Sequence, residues 1–421
     1  MADNSDTSKP WLDTMSDERF QLMREVLDAP SPIGLEAAMT RGVIEPRMKS
    51  FMPADWKIHT FRGNAGIVLD TAPEKTDAFT VMVIGHADKI RMQVRSISED
   101  GKIWVNTDSM LPTVLVGHKV KLFTEDPENP QSWRVLQGGT IEAIGAIHFA
   151  DSKVRSGDRG LKAEQIYLEL HIHGPDKKAQ VEALGIRPGA PILFDRPIER
   201  GFSPDTFTGA YLDNGLGCFV AMELAQLVAE SKGLSNVRYL AAMASHEEIG
   251  RFGSRVLVEH FRPDVSIAVD VAHDFDAAPG ISDRRYEPLA MGSGFTLTHG
   301  AICSAELNSL ITQVATENEI PIQHELAGRD TGTDAMAAVL AAIDSAAASI
   351  GLPIRNMHTI SESGHTGDTD AAIHCLHRLL VHMDEANGGK GITADDLRAG
   401  HPRLDQSTAL THKPLDEKKT E

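Results

Sequence analysis

The sequence predicts an α/β protein whose sheet-and-helix lobe is interrupted by a β-rich insertion. Residues 79–84 and 265–271 are apolar runs of strand length with the β-branched content of buried strands. Helical periodicity recurs around them, over 17–27, 217–231 and 305–318. From 92 to 200 the texture changes to short alternating segments with turn signals such as Glu99-Asp100-Gly101 and Gln137-Gly138-Gly139.

Each element follows in order. A helix over 17–27 places Phe20, Leu22, Met23 and Val26 at helical spacing, and Ala29-Pro30-Ser31-Pro32-Ile33-Gly34 breaks it. A second helix starts at Glu36, and strand 79–84 runs into Gly85-His86-Ala87-Asp88. Inside the insertion, residues 166–172 alternate strictly, a helix over 177–184 is closed by Gly185, and a strand follows at 192–194. Near Pro204 the α/β texture resumes with a helix over 217–231 and strands at 237–244, 265–271 and 294–298. Helices over 305–318 and 334–350, an extended stretch through His358 and a helix over 370–385 complete it. The expected organisation is a discontinuous lobe, 1–91 with 201–421, and an insertion at 92–200. Residues 387–421 read as a polar, flexible tail.

Composition narrows the function. The chain has 421 residues, 41% hydrophobic and 24% charged, the balance of an ordinary globular protein. A net charge of −19 repels phosphate backbones and anionic lipid surfaces, so neither nucleic acid nor membrane is an expected partner. Cys218, Cys303 and Cys375 lie far apart without a CxxC, so neither a disulfide framework nor a thiolate zinc site is indicated. The opening MADNSDTSKPW lacks the pattern of a secretory signal, and a cytoplasmic location is expected. There is no GxxxxGK[ST] loop, no GxSxG elbow and no GxGxxG after a strand. His246-Glu247-Glu248-Ile249-Gly250 begins like HExxH but has Gly at its fifth position.

Histidines and carboxylates at strand ends remain. On extended backbone His86 and Asp88 share a face, so Asp88 could accept a hydrogen bond from the imidazole nitrogen turned away from a metal; a capped strand end is the plainer reading. Asp213 stands just before a helix and reads as an N-cap or a ligand. Glu247 and Glu248 follow strand 237–244 and can serve one site only if the chain turns, as Gly250 permits. Two acids beside an apolar strand call for a cation or partner. Asp270 ends another buried run, with Asp274 and Asp276 as solvated loop acids. His358 ends an extended run and has His365 as a rival, while His171 and His173 fall on an exposed polar face.

In order and spacing, these positions resemble the M42 family of co-catalytic metallo-aminopeptidases, the glutamyl-aminopeptidase and tetrahedral-aminopeptidase group, over roughly residues 30–380. The resemblance rests on Pro30-Ser31-Pro32-Ile33-Gly34-Leu35-Glu36, Gly85-His86-Ala87-Asp88, Leu212-Asp213-Asn214, His246-Glu247-Glu248-Ile249-Gly250 with Gly253, Ala268-Val269-Asp270-Val271, Gly332-Thr333-Asp334-Ala335 and Arg355-Asn356-Met357-His358. It implies a mixed-sheet metallopeptidase domain with helices on both faces and an inserted small β-barrel that mediates dimer contacts, the dimers building dodecamers. It also implies two divalent ions, zinc or cobalt with manganese also suited. Asp213 bridges them, His86 and Asp270 complete one site, Glu248 and His358 complete the other, and Glu247 is the general base, with Asp88 as a further catalytic residue beside His86. The expected reaction removes N-terminal residues from peptides. An amidohydrolase acting on a small acylated dipeptide and a non-catalytic metal-binding assembly are the alternatives. Lys89, Arg91, Gly215 and the run from Ser361 to Asp368 depart from the family pattern, and resemble the branch associated with the osmolyte N-acetylglutaminylglutamine amide.

Overall fold

The computed structural model describes residues 9–397 except 109, 146, 232 and 278–287. Three strands precede the insertion: β1 (Lys57–Thr60), β2 (Gly66–Asp70) and β3 (Phe79–His86). The insertion supplies β4 (Met92–Ile97), β5 (Ile103–Asn106), β6 (Lys119–Asp126), β7 (Asn129–Ala143), β8 (Ile166–Glu169) and β9 (Pro191–Phe194). After it come β10 (Glu199–Arg200), β11 (Thr206–Gly209), β12 (Val237–Ala244), β13 (Val265–His273), β14 (Phe295–Gly300), β15 (Ile322–Ala327), β16 (Ala346–Ile354) and β17 (Glu362–His365).

The lobe is built on an eight-stranded sheet in the order β1-β2-β12-β3-β13-β16-β14-β15. Its four central strands, β12, β3, β13 and β16, run parallel, so their carboxyl ends share one edge. Both faces are covered, which explains the unbroken apolar runs. Val81 and Val83 join the core under the Leu212–Glu230 helix, whereas Met82 and Ile84 join Leu257 and Val258 of the Phe252–Phe261 helix on the other face. Each fully buried side chain of this size contributes about 1.5–3 kcal/mol.

Strands β4-β5-β8-β7-β6-β9 close into a barrel with its own core, including Val94, Val105, Ile141 and Leu168. The alternation read over 166–172 ends as a strand at Glu169, because His171 adopts a left-handed φ of 58°. Lys89 and Arg91 lie where lobe meets barrel. Lys89 is buried and donates to the carbonyls of Leu27 and Ala29, while Arg91 donates to that of Ile33, so both hold the broken segment after the first helix.

Two expectations are corrected. Residues 334–350 are not one helix: a 3-10 turn (Asp334–Met336) and a short helix (Ala337–Leu340) lead into β16. The alanines that open β16 favour helix locally, but pairing with β13 along the whole segment makes it a strand, and β14 approaches it closely at Gly351. A Cβ on Gly351 would lie 2.3 Å from Thr296 Oγ1. Nor do residues 387–397 form part of a flexible tail, since the last long helix runs Thr366–Gly389, Ile392 packs in the lobe core and a 3-10 turn follows at Ala394–Leu397. Residues 398–421 lie outside the described residues. Among the described residues no helix is long and apolar enough to cross a membrane.

Candidate metal centre

The site lies at the carboxyl edge of the parallel strands, where open α/β sheets place ligands. His86 is the last residue of β3, Asp270 lies near the end of β13, and Glu247 and Glu248 lie in the turn after β12. His358 lies in the loop after β16. Asp213 enters at the start of the Leu212–Glu230 helix with non-helical φ and ψ, and makes no capping bond there. All six side chains line one cleft of 270 Å³.

The spacing is tight. His86 Nε2 is 3.1 Å from Asp213 Oδ1 and 3.6 Å from Asp270 Oδ1. His358 Nε2 is 3.0 Å from the other Asp213 oxygen and 3.8 Å from Glu248 Oε1. Asp213 therefore stands between the two imidazoles. Ligand atoms of His86, Asp213 and Glu248 all fall within 4.8 Å of one another.

Close backbone approach sets this spacing. A Cβ on Gly85 would lie 2.3 Å from the carbonyl carbon of Gly217, so glycine at 85 lets β3 lie directly against the helix that carries Asp213. Non-glycine residues adopt left-handed backbone around the cluster: Tyr211 (φ 67°), His246 (64°) and His358 (62°). Such conformations persist where the surroundings fix them, and they gather at functional sites. The turn at His246, followed by Gly250 at φ 130°, brings both adjacent glutamates into the cleft.

Asp88 occupies a different place from the one expected. The His86 Nδ1 atom is 3.1 Å from the backbone carbonyl of Asp88 and 3.6 Å from its carboxylate. The carboxylate instead accepts the backbone N–H groups of Glu247 (3.0 Å) and Glu248 (3.1 Å). The strand ends at His86, and beyond it the Asp88 carboxylate reaches the backbone of the glutamate turn while staying near the imidazole. Asp88 ties the β3 end to the glutamate turn.

Sequence reading passed over other buried acids. Glu362 accepts the N–H groups of Leu212 (2.6 Å) and Asp213 (3.3 Å) on one oxygen and that of His358 (2.7 Å) on the other, joining two cluster loops. Asp274 is buried and paired with Arg355 at 2.6 Å, not solvated, whereas Asp276 is exposed. An acid that ends a buried strand or follows a site histidine by four residues was the available signal. His365 stays outside the cluster, its Nδ1 accepting the Gly367 N–H at the start of the last long helix. His171 and His173 are exposed on the barrel.

Electrostatics test whether cations fit. Burial pushes Glu247 up to about 8, and drives Glu248 well above the carboxylate range with Asp213 adding to the rise. Burial also raises Asp270 despite His86. Burial would lower His86, but Asp270, Asp213 and Asp88 hold it well above the usual histidine range. Asp213 Oδ1 and Glu248 Oε1 are buried without a hydrogen-bond partner. Glu247, Glu248 and Asp270 are thereby disfavoured as anions, while Asp213, which burial alone would raise, is held below the usual range by the two imidazoles. The two orphaned oxygens stay uncompensated until further positive charge arrives. Nitrogen and oxygen donors without thiolate suit zinc, cobalt or manganese. The residues fit divalent ions.

Fold and cleft together define a mixed α/β lobe with a carboxylate–imidazole cluster at the carboxyl edge of its sheet. The chain belongs to the M42 glutamyl aminopeptidase family, whose sequence profile matches residues 66–375, and it is an exopeptidase of that family. It is 28% identical over 365 residues to lysyl aminopeptidase of Pyrococcus furiosus, covering 86% of this chain and 97% of the relative. Among solved structures it is similar to the TET aminopeptidase of a marine sediment archaeon, Thaumarchaeota archaeon SCGC AB-539-E09, with a TM-score of 0.76 and 21% identity over 86% of this chain and 96% of the other. It is also similar to Pyrococcus horikoshii TET1 peptidase, described as able to assemble into a tetrahedron or a large octahedral shell. There the TM-score is 0.69 and the identity 17%, over 86% of this chain and 99% of the other.

Proposed function

We propose that this chain is a dinuclear metal-dependent aminopeptidase that removes N-terminal residues from unblocked peptides. The observation that carries the reading is Asp213, placed between His86 and His358 with one carboxylate oxygen toward each. In this reading Asp213 would serve both ions, with His86 and Asp270 completing one set of ligands and Glu248 and His358 the other. Zinc, cobalt or manganese there supplies Lewis acidity toward the scissile carbonyl and a water molecule. Glu247 takes the proton of the attacking water and delivers it to the leaving amine. Its burial favours a carboxyl able to hold that proton near neutrality. Asp88 keeps Glu247, Glu248 and His86 in register through their backbone contacts.

The name of the Pyrococcus relative supports peptides with a free N-terminus as substrates. Burial of Cys218 and Cys375 as free thiols supports a reducing, cytoplasmic setting. The assemblies described for the solved neighbours support a homo-oligomer. Trp133, Val135 and Phe149, exposed on the barrel, support contacts through the insertion.

Exhaustive chelation, followed by readdition of Zn²⁺, Co²⁺ or Mn²⁺ with bound metal counted, tests the centre. Release of amino acids from unblocked peptides should vanish and return with metal. Full activity of metal-free protein would refute it, and cleavage of N-acetylated but not unblocked dipeptides would replace it with an amidohydrolase.

A further inference from the structure

We infer that Arg251 is a positioning residue that fixes the Glu247 carboxylate against the opposite wall of the cleft. The inference rests on the reading of Glu247 as the proton-transferring base. Arg251 follows Gly250 in the turn after β12 and adopts a left-handed φ of 61°, its backbone N–H bonding the Glu247 carbonyl at 3.0 Å. This conformation brings the side chain back over the turn, where Nε donates to Glu247 Oε1 at 3.2 Å. Among the described residues this is the hydrogen bond that the Glu247 carboxylate receives.

The rest of the guanidinium reaches away from the turn. Its two terminal nitrogens each lie 3.1 Å from an oxygen of Asp330, a bidentate pairing that fixes the plane of the group. Asp330 in turn accepts the N–H of Gly332 at 2.8 Å, and Thr333 is joined through its hydroxyl to Ser349 of β16 at 3.1 Å. Thr331, Gly332 and Thr333 line the same cleft as Glu247. Arg251 is thus the link between the glutamate turn and the 331–333 wall.

A carboxylate free to rotate presents either oxygen in many orientations. With Oε1 held by Nε, the other oxygen is left for water in the cleft, and its direction is set relative to the wall on which a substrate rests. The side chains of Arg251 and Glu247 are 18% and 10% exposed, so solvent competes little for this bond. Bound metal and the unfolding midpoint of Arg251→Leu, read beside its turnover, separate a loss of positioning from a loss of fold.

The test uses the metal-loaded full chain and the best-cleaved member of a panel of aminoacyl-p-nitroanilides. Arg251→Leu should lower kcat by about 10- to 100-fold while KM stays within about twofold and bound metal is unchanged. Arg251→Lys, which cannot span both carboxylates, should fall between it and the parent. In a Glu247→Gln background Arg251→Leu should have no further effect, because the group it orients is gone. The inference is overturned if Arg251→Leu keeps kcat within twofold while Glu247→Gln is inactive, if its loss of activity tracks loss of metal, or if the two substitutions act additively. Near-normal turnover in Glu247→Gln would instead remove the reading of Glu247 itself.

Discussion

Glu247 and Glu248 are adjacent in the chain and face different partners. Glu248 Oε1 is 3.8 Å from His358 and unpartnered, whereas Glu247 is held by Arg251. Glu247→Gln keeps size and polarity but removes the base, so turnover should fall by about 10²–10⁴-fold with metal content preserved. Glu248→Gln replaces an anionic ligand with a neutral amide. It should weaken one metal and recover part of its activity at raised metal concentration. Equal metal loss in both variants, measured by elemental analysis, would count against the division of roles. Much of this cluster was legible in the sequence, because each member is a titratable residue placed where an apolar run stops. His86, Asp213, Glu247, Glu248, Asp270 and His358 do line one cleft. Arg251 was not legible, since Asp330 lies on a loop distant in sequence, and Glu362 offered only its spacing from His358, its other partners being backbone N–H groups of a remote loop.

At the scale of elements, the β1-β2-β12 edge of the sheet is fastened by one buried ion pair. Asp70, ending β2, accepts Arg238 Nε at 3.0 Å and Nη2 at 2.6 Å, with Ala72 N–H and His59 as further partners. Burial by itself raises Asp70, but Arg238 and these partners outweigh it and hold the carboxyl below the usual range. Asp70→Asn strands a buried guanidinium and should cost about 3–5 kcal/mol at pH 7 in denaturant unfolding. A depressed folded-state pKa stabilises above the unfolded value of about 3.9, so the advantage of the parent over Asp70→Asn should shrink as pH falls below it. An advantage unchanged down to the lowest pH at which both proteins fold would contradict this account. Strands β3 and β13 were readable because burial on both faces leaves them as nearly continuous apolar runs of strand length, rich in β-branched residues. Strand β16 was misread because its opening alanines favour helix locally, whereas pairing with β13 along its whole length is a tertiary demand that local propensity does not express.

For the whole molecule, the change from apolar runs to short alternating segments marked the insertion, and the barrel strands from Met92 to Phe194 fall within the expected 92–200. What the barrel does for assembly is less visible, because association depends on which exposed side chains form a patch. If it carries the contacts between copies, light scattering at micromolar concentration should find the intact chain larger than a monomer, and Trp133→Glu with Phe149→Glu should yield smaller species that still bind metal. A monomeric intact chain would exclude this role. The interruption of the lobe also bears on the order in which the chain can fold as it is synthesised. Strand β3 pairs with β12 and β13, both of which lie beyond the barrel, so β3 leaves the ribosome with two unpaired edges. The barrel, by contrast, has all its strands in hand by Phe194. Its first and last strands pair, Met92 with Ile192, so closing it returns the chain to the place where β3 ended. The long excursion then no longer counts as a flexible loop to be closed, and the later strands meet a waiting partner at reduced entropic cost. A barrel that closed before β12 and β13 were made would hold the end of β3 beside the point where the chain re-enters the lobe.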